Sequence, residues 1–162
     1  MTEEYEIDEL DRKIITKLQE DGRKSFREIA SEIDSTAVTV INRVDKMKDK
    51  GIIRGYTVDI DYRKIGYHIV AAIELIVKGE HMKEIEDKLY EHPRVTAVYE
   101  ITGDTDILLV AKFKDRDQLG SFVVGDLLDS NMIEKTITHV AFDTYMERHN
   151  VDLMEDMPEA EE

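Results

Sequence analysis

The chain contains no cysteine, which excludes disulfides, cysteine-ligated zinc fingers, iron–sulfur ligation and thiol catalysis. It has no apolar run approaching the ~20 residues that a membrane-spanning helix needs, so no membrane association is expected. Its first residues, Met1-Thr2-Glu3-Glu4, are acidic and lack the basic and apolar regions of a signal peptide, which predicts a cytoplasmic protein. Basic side chains are scarce. There are 22 of them against 37 acidic ones, net −15, a balance that argues against a general nucleic-acid binder. The five histidines, His68, His81, His92, His139 and His149, show no i, i+4 metal-binding spacing. No G-x-S-x-G, glycine-rich phosphate loop or nucleophile–base spacing occurs either. No cofactor, metal or catalytic residue is therefore expected, and the chain reads as a non-enzyme.

What remains is a globular composition, 41% hydrophobic and 36% charged, long enough for one or two small domains. The acidity is uneven. Residues 1–66 hold 13 basic and 15 acidic groups, net −2, whereas residues 67–162 hold 9 and 22, net −13. Between Arg23 and Arg54 there are eight basic and five acidic groups, net +3. A locally positive window in a negative chain suits an element that must approach phosphates.

That window has helix-turn-helix punctuation. Ser25-Phe26-Arg27-Glu28 is a capping box, followed by Phe26, Ile29, Ala30 and Ile33 at helical spacing. Asp34-Ser35 breaks the helix, because Asp is one of the few non-glycine residues that tolerate a left-handed turn. Thr36 can cap a second helix with Ala37, Val40, Ile41, Val44 and Met47 on one face, and Gly51 stops it. Its opposite face shows Thr39, Asn42, Arg43, Lys46 and Lys50, the polar and basic set that major-groove reading requires. The lysines near Gly51 also suit the C-terminus of any helix, and Arg43 could pair with a neighbouring carboxylate instead of DNA. An earlier helix, about Asp8 to Glu20, would complete a three-helix core through Leu10, Ile14, Ile15 and Leu18. Ile52 to Ile60 reads as a short strand.

Beyond a connector at 61–68 the apolar period changes from 3.6 to 2. Strands are predicted at Ile69–Val77, Val95–Thr102, Ile107–Phe113 and Ile133–Tyr145. Helices are predicted around Met82–Leu89 and Leu119–Leu127, the latter capped by Asp115 with Gln118 three residues on. The order βαββαβ is the ferredoxin-like unit. The fold class is therefore α+β, a helix-turn-helix domain at 1–60 joined to a ferredoxin-like domain at 69–146. Two helices can cover only one sheet face, yet Ile69–Val77 and Ile107–Phe113 are apolar on both, so a second copy is expected to cover the other. Residues 147–162 read as an acidic, mostly disordered tail.

This architecture resembles the Lrp/AsnC family of transcription regulators over about Ile7 to Arg148. The resemblance rests on Leu10-Asp11 with Ile14, Ile15 and Leu18; on Asp21-Gly22-Arg23-Lys24-Ser25; on Arg43-Val44 followed by Gly51-Ile52-Ile53-Arg54-Gly55-Tyr56; and on Gly103-Asp104-Thr105-Asp106 between the second and third strands. It implies a regulator of transcription that binds double-stranded DNA, through residues such as Arg23, Lys24, Thr36, Thr39, Asn42, Arg43 and Lys46. It also implies a dimer of ferredoxin-like domains, often assembled into octamers, and a small effector, usually an amino acid. The effector residues implied are Thr102, Gly103, Asp104 and Asp106 of the hairpin, with Thr136 and Thr138 of the last strand. A turn carboxylate for the ammonium, with amides and threonine hydroxyls for the carboxylate, is sensible chemistry for a zwitterion. The same aspartates suit any hairpin turn, and threonines are ordinary strand residues. Two departures stand out: Asp34-Ser35 replaces the family's usual glycine and apolar residue, and the acidic tail is atypical.

Some Lrp-like proteins are sirohaem decarboxylases, which gives an enzyme as the alternative. A polycarboxylate substrate would need cationic contacts, and residues 67–162 offer only Arg94, Arg116 and Arg148 as arginines.

Overall fold

The structure, a computed structural model, describes residues 5–128, 131–148 and 150–154. Two compact units divide the chain at Asp59/Ile60 and at Arg148, where it returns to the first unit. The first unit contains α1 (Glu9–Glu20), α2 (Phe26–Glu32) and α3 (Ala37–Asp49). Each helix starts on a side-chain cap: Asp8, Ser25 and Thr36 accept the amides of Asp11, Glu28 and Thr39 respectively. The Ser25–Glu28 capping box is complete, and the Ser25 hydroxyl and amide hold the Glu28 carboxyl below its usual range. Asp34 takes φ 51°, and the Ser35 amide donates back to the Ala30 carbonyl (2.8 Å), so the turn closes as expected. α3 ends on Gly51 (φ 72°), with the Ile52 amide on the Met47 carbonyl and the Gly51 amide on the Lys48 carbonyl. Ile14, Ile29, Ala30, Val40, Val44 and Met47 form the core. Ile41, expected inside, is 39% exposed.

The strand expected at Ile52–Ile60 does not form. Ile52 and Ile53 pack against the helical core, but Tyr56, Val58 and Ile60 stay exposed in an irregular segment. A strand needs a ladder partner, and no strand pairing among the described residues reaches this segment. Farther along, the segment expected to be a disordered tail makes contacts: Leu153 and Met154 are half-buried, and the Leu153 carbonyl accepts from Arg12 Nη1 (3.5 Å). Residues 149 and 155–162 of that expected tail lie outside the described residues.

The second unit opens with a 3₁₀ turn, Tyr62–Ile65, where a connector was expected. It then runs β1 (Ile69–Val77), α4 (Met82–Glu91), β2 (Val95–Glu100), β3 (Ile107–Phe113), α5 (Arg116–Ser121) and β4 (Ile133–Val140). The strand order β2-β3-β1-β4, antiparallel throughout, is the ferredoxin-like sheet. β4 stops at Val140 rather than Tyr145. It pairs only with β1, and Ala141 has already reached Val70, one residue from that strand's start, so no ladder remains beyond it. α5 continues as a π-helical stretch, Phe122–Leu127. Asp115 caps α5 at the Gln118 amide as expected, while Gln118 reaches back to the Lys114 amide.

α4 and α5 cover one sheet face, burying Ile73, Leu75, Leu109, Phe113, Ile85 and Phe122 among others. His92, at the end of α4, lies on the Phe122 ring (centroids 4.7 Å apart), and burial pushes its pKa down. Beside it stand Asp126, whose charge opposes that shift, and Arg94 and Lys88, which add to it. The other face presents Val70, Ala72, Ile76, Leu108 and Val110, all half-buried and none covered by a described helix.

Candidate nucleic-acid interface and effector loop

α3 is the longest of the three N-terminal helices and follows the tight Asp34-Ser35 turn, the placement of a recognition helix. Thr36, Asn42 and Lys46 are exposed and Thr39 is half-buried, so these sequence-predicted residues lie on or beside the open face. Thr36 and Thr39 are joined through their hydroxyls (2.9 Å) as part of the cap. Lys46 Nζ also sits 4.7 Å from the centre of the Tyr5 ring. Val38, which the sequence did not single out, is 67% exposed, and Ile41, expected inside, is also exposed; outward apolar groups on a recognition helix are suited to thymine methyls.

Arg43 does not face outward as expected. Its Nη1 donates to Asp8 Oδ2 and lies 3.3 Å from Asp11 Oδ2. Asp11 is fully buried and also accepts the Tyr5 hydroxyl at 2.7 Å. Arg43 flanks the buried stripe Val40, Val44, Met47, which turns its head toward the start of α1. The Asp8 amide donates to Asp11 in return, completing a second capping box. Burial raises the Asp8 pKa, but the Asp11 amide and the Arg43 guanidinium outweigh it and hold the carboxyl below its usual range. The signal available in the sequence was Asp8-x-x-Asp11 ahead of an apolar run.

Arg23 and Lys24 differ from each other. The Arg23 side chain is almost entirely exposed, with a loose ion pair to Asp21 (3.6 Å). Lys24 donates to Glu32 (2.8 Å) and lies 3.4 Å from Glu20, and the Glu32 bond first raises its pKa. Lys24 thus ties the ends of α1 and α2 together, and a phosphate would have to compete with two carboxylates for it.

In the second unit the β2–β3 hairpin carries Thr102, Gly103 and Asp104 at an exposed tip, with Gly103 at φ 132°. A side chain would be strained there, so glycine is required by the turn. The base of the hairpin is pinned to β1. The Asp106 amide donates to the Leu75 carbonyl (2.9 Å), Asp106 Oδ2 accepts the Val77 amide (2.8 Å), and the Ile101 amide donates to the Asp106 carbonyl (2.9 Å). Asp106 is therefore already engaged, whereas Asp104 points its carboxylate from an exposed tip. Thr136 and Thr138 stand opposite Leu75 and Ile73, on the neighbouring strand across β1. The register thus brings the hairpin and β4 to opposite sides of the same end of β1. Thr105, buried, was missed by the sequence reading; its hydroxyl donates to Glu74 Oε2 (3.0 Å). Among the described residues no group of three or more His, Asp or Glu could hold a metal ion, and no helix is long and apolar enough to cross a membrane.

Comparison with known proteins agrees with both units. The AsnC-type helix-turn-helix domain model matches residues 7–48, and the Lrp/AsnC ligand binding domain model matches residues 70–151. An uncharacterised HTH-type transcriptional regulator of Pyrococcus furiosus is 42% identical over 88% of this chain and 95% of its own length. The structure of Escherichia coli AsnC superposes with a TM-score of 0.83 at 27% identity, covering 91% of this chain and 99% of that one. A Neisseria meningitidis transcriptional regulator, solved in complex with L-Met, shares the fold with a TM-score of 0.83 at 22% identity, over 90% and 96% of the two chains. With an AsnC-type helix-turn-helix in the first unit and an Lrp/AsnC ligand-binding domain in the second, the chain belongs to the Lrp/AsnC family of DNA-binding transcription regulators.

Proposed function

We propose that this regulator binds an amino acid at the β2–β3 hairpin and that the bound amino acid sets how tightly α3 holds DNA. The observation that carries the reading is Asp104: an exposed carboxylate at the tip of a hairpin whose base is pinned by three hydrogen bonds. A free carboxylate on a fixed base is a ready partner for an α-ammonium group. The L-Met complex of the Neisseria protein supports the ligand class. The chain acts in the cytoplasm and carries out no catalysis on this reading. The small number of arginines in residues 67–162, within a stretch of net charge −13, serves a polycarboxylate poorly and disfavours the decarboxylase alternative.

The working form is at least a dimer, with a second copy over the sheet face that α4 and α5 leave open. Val70, Ala72, Ile76, Leu108 and Val110 would otherwise form one apolar surface. Light scattering at micromolar concentration should give at least twice the monomer mass, and a stable monomer would overturn this part.

The effector assignment is tested by Asp104→Ala and Asp104→Asn in gel shifts with each standard L-amino acid. Loss of a charge-assisted hydrogen bond costs about 1.5–3 kcal/mol, so effector affinity should fall roughly ten- to hundredfold while binding without effector is kept. A wild-type effector response in both variants would retire the assignment.

A further inference from the structure

β1 separates the hairpin that carries Asp104 from β4, since the sheet order places β3 on one side of it and β4 on the other. One side chain bridges them. Glu74, in the middle of β1, is paired with Leu108 of β3 and Ile137 of β4. Its Oε2 accepts the Thr105 hydroxyl of the hairpin at 3.0 Å, and its Oε1 lies 3.2 Å from His139 Nε2 of β4. The position is chemically costly: its neighbours on that sheet face are Ala72, Ile76, Leu108 and Ile137. A carboxylate among apolar groups needs its hydrogen bonds.

Resting on the amino-acid reading above, we propose that Glu74 is the positioning residue of this site, its two carboxylate oxygens holding the hairpin and β4 at a fixed spacing. Thr105 is the hairpin's side of the clasp and sits directly next to Asp104. Releasing it frees the tip that presents Asp104 while leaving the tip's own side chains intact. Lys112 and Lys135 share the face but do not replace the clasp. The Lys112 ammonium pairs with Glu147 and lies 5.0 Å from the Tyr62 ring centre, and Lys135 is exposed opposite Ile76.

The test uses the full chain with Thr105→Val, Thr105→Ser and Glu74→Ala. In ligand-free protein, amide exchange at Ile101, Asp106 and Val77 should quicken about three- to tenfold in Thr105→Val and remain slow in Thr105→Ser. Glu74→Ala should quicken the hairpin and β4 together. Amino-acid affinity, measured with whichever standard L-amino acid shifts the wild-type melting curve, should fall about tenfold in Thr105→Val and return in Thr105→Ser, with DNA binding in its absence unchanged. Wild-type exchange rates in Thr105→Val would overturn the proposal, and so would faster exchange with undiminished affinity. If no amino acid shifts the wild-type protein, the ligand reading of Asp104 fails by itself, and the exchange rates still decide whether Glu74 holds the two strands.

Discussion

Replacing Arg43 with alanine should destabilise the DNA-binding unit, in addition to any effect on DNA. The guanidinium is the cation facing Asp11, a carboxylate with no solvent exposure. Removing one partner of a fully buried ion pair costs ~3–5 kcal/mol. Here the figure must be reduced, because the Arg43 side chain is 33% exposed and Asp11 keeps the Tyr5 hydroxyl and the Asp8 amide. About 1.5–3 kcal/mol remains, far more than the few tenths that separate Arg and Ala in helix propensity. For a unit of this size each kcal/mol moves the midpoint by roughly 4–8 °C, so a fall on the order of 10 °C is expected. Circular dichroism of the full chain at neutral pH measures it. Adding Asp11→Asn should recover part of the loss, since an uncharged amide no longer needs the cation. Acid provides a second check. Asp8 has a folded pKa below its unfolded value, so its contribution is full above the unfolded value and disappears as pH falls through the folded one. The gap between wild type and Arg43→Ala should therefore narrow below about pH 4. A variant melting within a degree or two of wild type, yet binding DNA more weakly, would refute a stabilising role for the Arg43–Asp11 pair and restore Arg43 as an outward DNA contact.

Three further outcomes are expected. Burial lowers the His92 pKa below its unfolded value, so the unfolded form binds more protons as pH falls below about 6.5; stability should drop from that point, and the drop should flatten in His92→Gln when urea midpoints are compared across pH. Asp34→Val should cost about 1–2 kcal/mol, because a β-branched side chain is strained at φ 51°, whereas Asp34→Gly should be neutral or better; equal melting of the two would refute it. The net charge of −15 should blunt the salt dependence of DNA binding, since added salt screens long-range repulsion (Debye length about 10 Å at ~0.1 M) while releasing phosphate contacts; a steep monotonic loss from low salt upward would contradict this.

The helix-turn-helix was readable because its punctuation is local. Ser25–Glu28, Asp34, Thr36 and Gly51 act on backbone groups within four or five residues of themselves, and all four sit where their chemistry requires. The period-2 strands were readable for the same reason, apart from their ends. Where β4 stops depends on how far β1 extends, and the Tyr56–Ile60 segment stays irregular because strand formation needs a partner that the alternation pattern does not supply. Arg43 was misplaced because the carboxylates that claim it are 32 and 35 positions away, beyond the reach of helical spacing. Glu74 is a lone charge in an otherwise apolar strand, and alternation alone gives it no role. Only the register, which sets it between Leu108 and Ile137, reveals that it touches both flanking strands.

The contact between Arg12 and Leu153 links residues 141 positions apart, and Leu153 and Met154 lie beyond the end of the matched ligand-binding domain at 151. During synthesis α1, α2 and α3 can assemble as soon as they emerge, because their caps and core are close in sequence. The contact of Arg12 with Leu153 must wait until residue 153 has been made, and closing such a loop from an unfolded chain costs about 4 kcal/mol. A purification tag or reporter fused on the C-terminal side, though remote from α3 in sequence, would therefore follow a segment that contacts α1. Affinities measured on C-terminally tagged protein should be compared with those of an N-terminally tagged or untagged chain before any of them is assigned to DNA sequence.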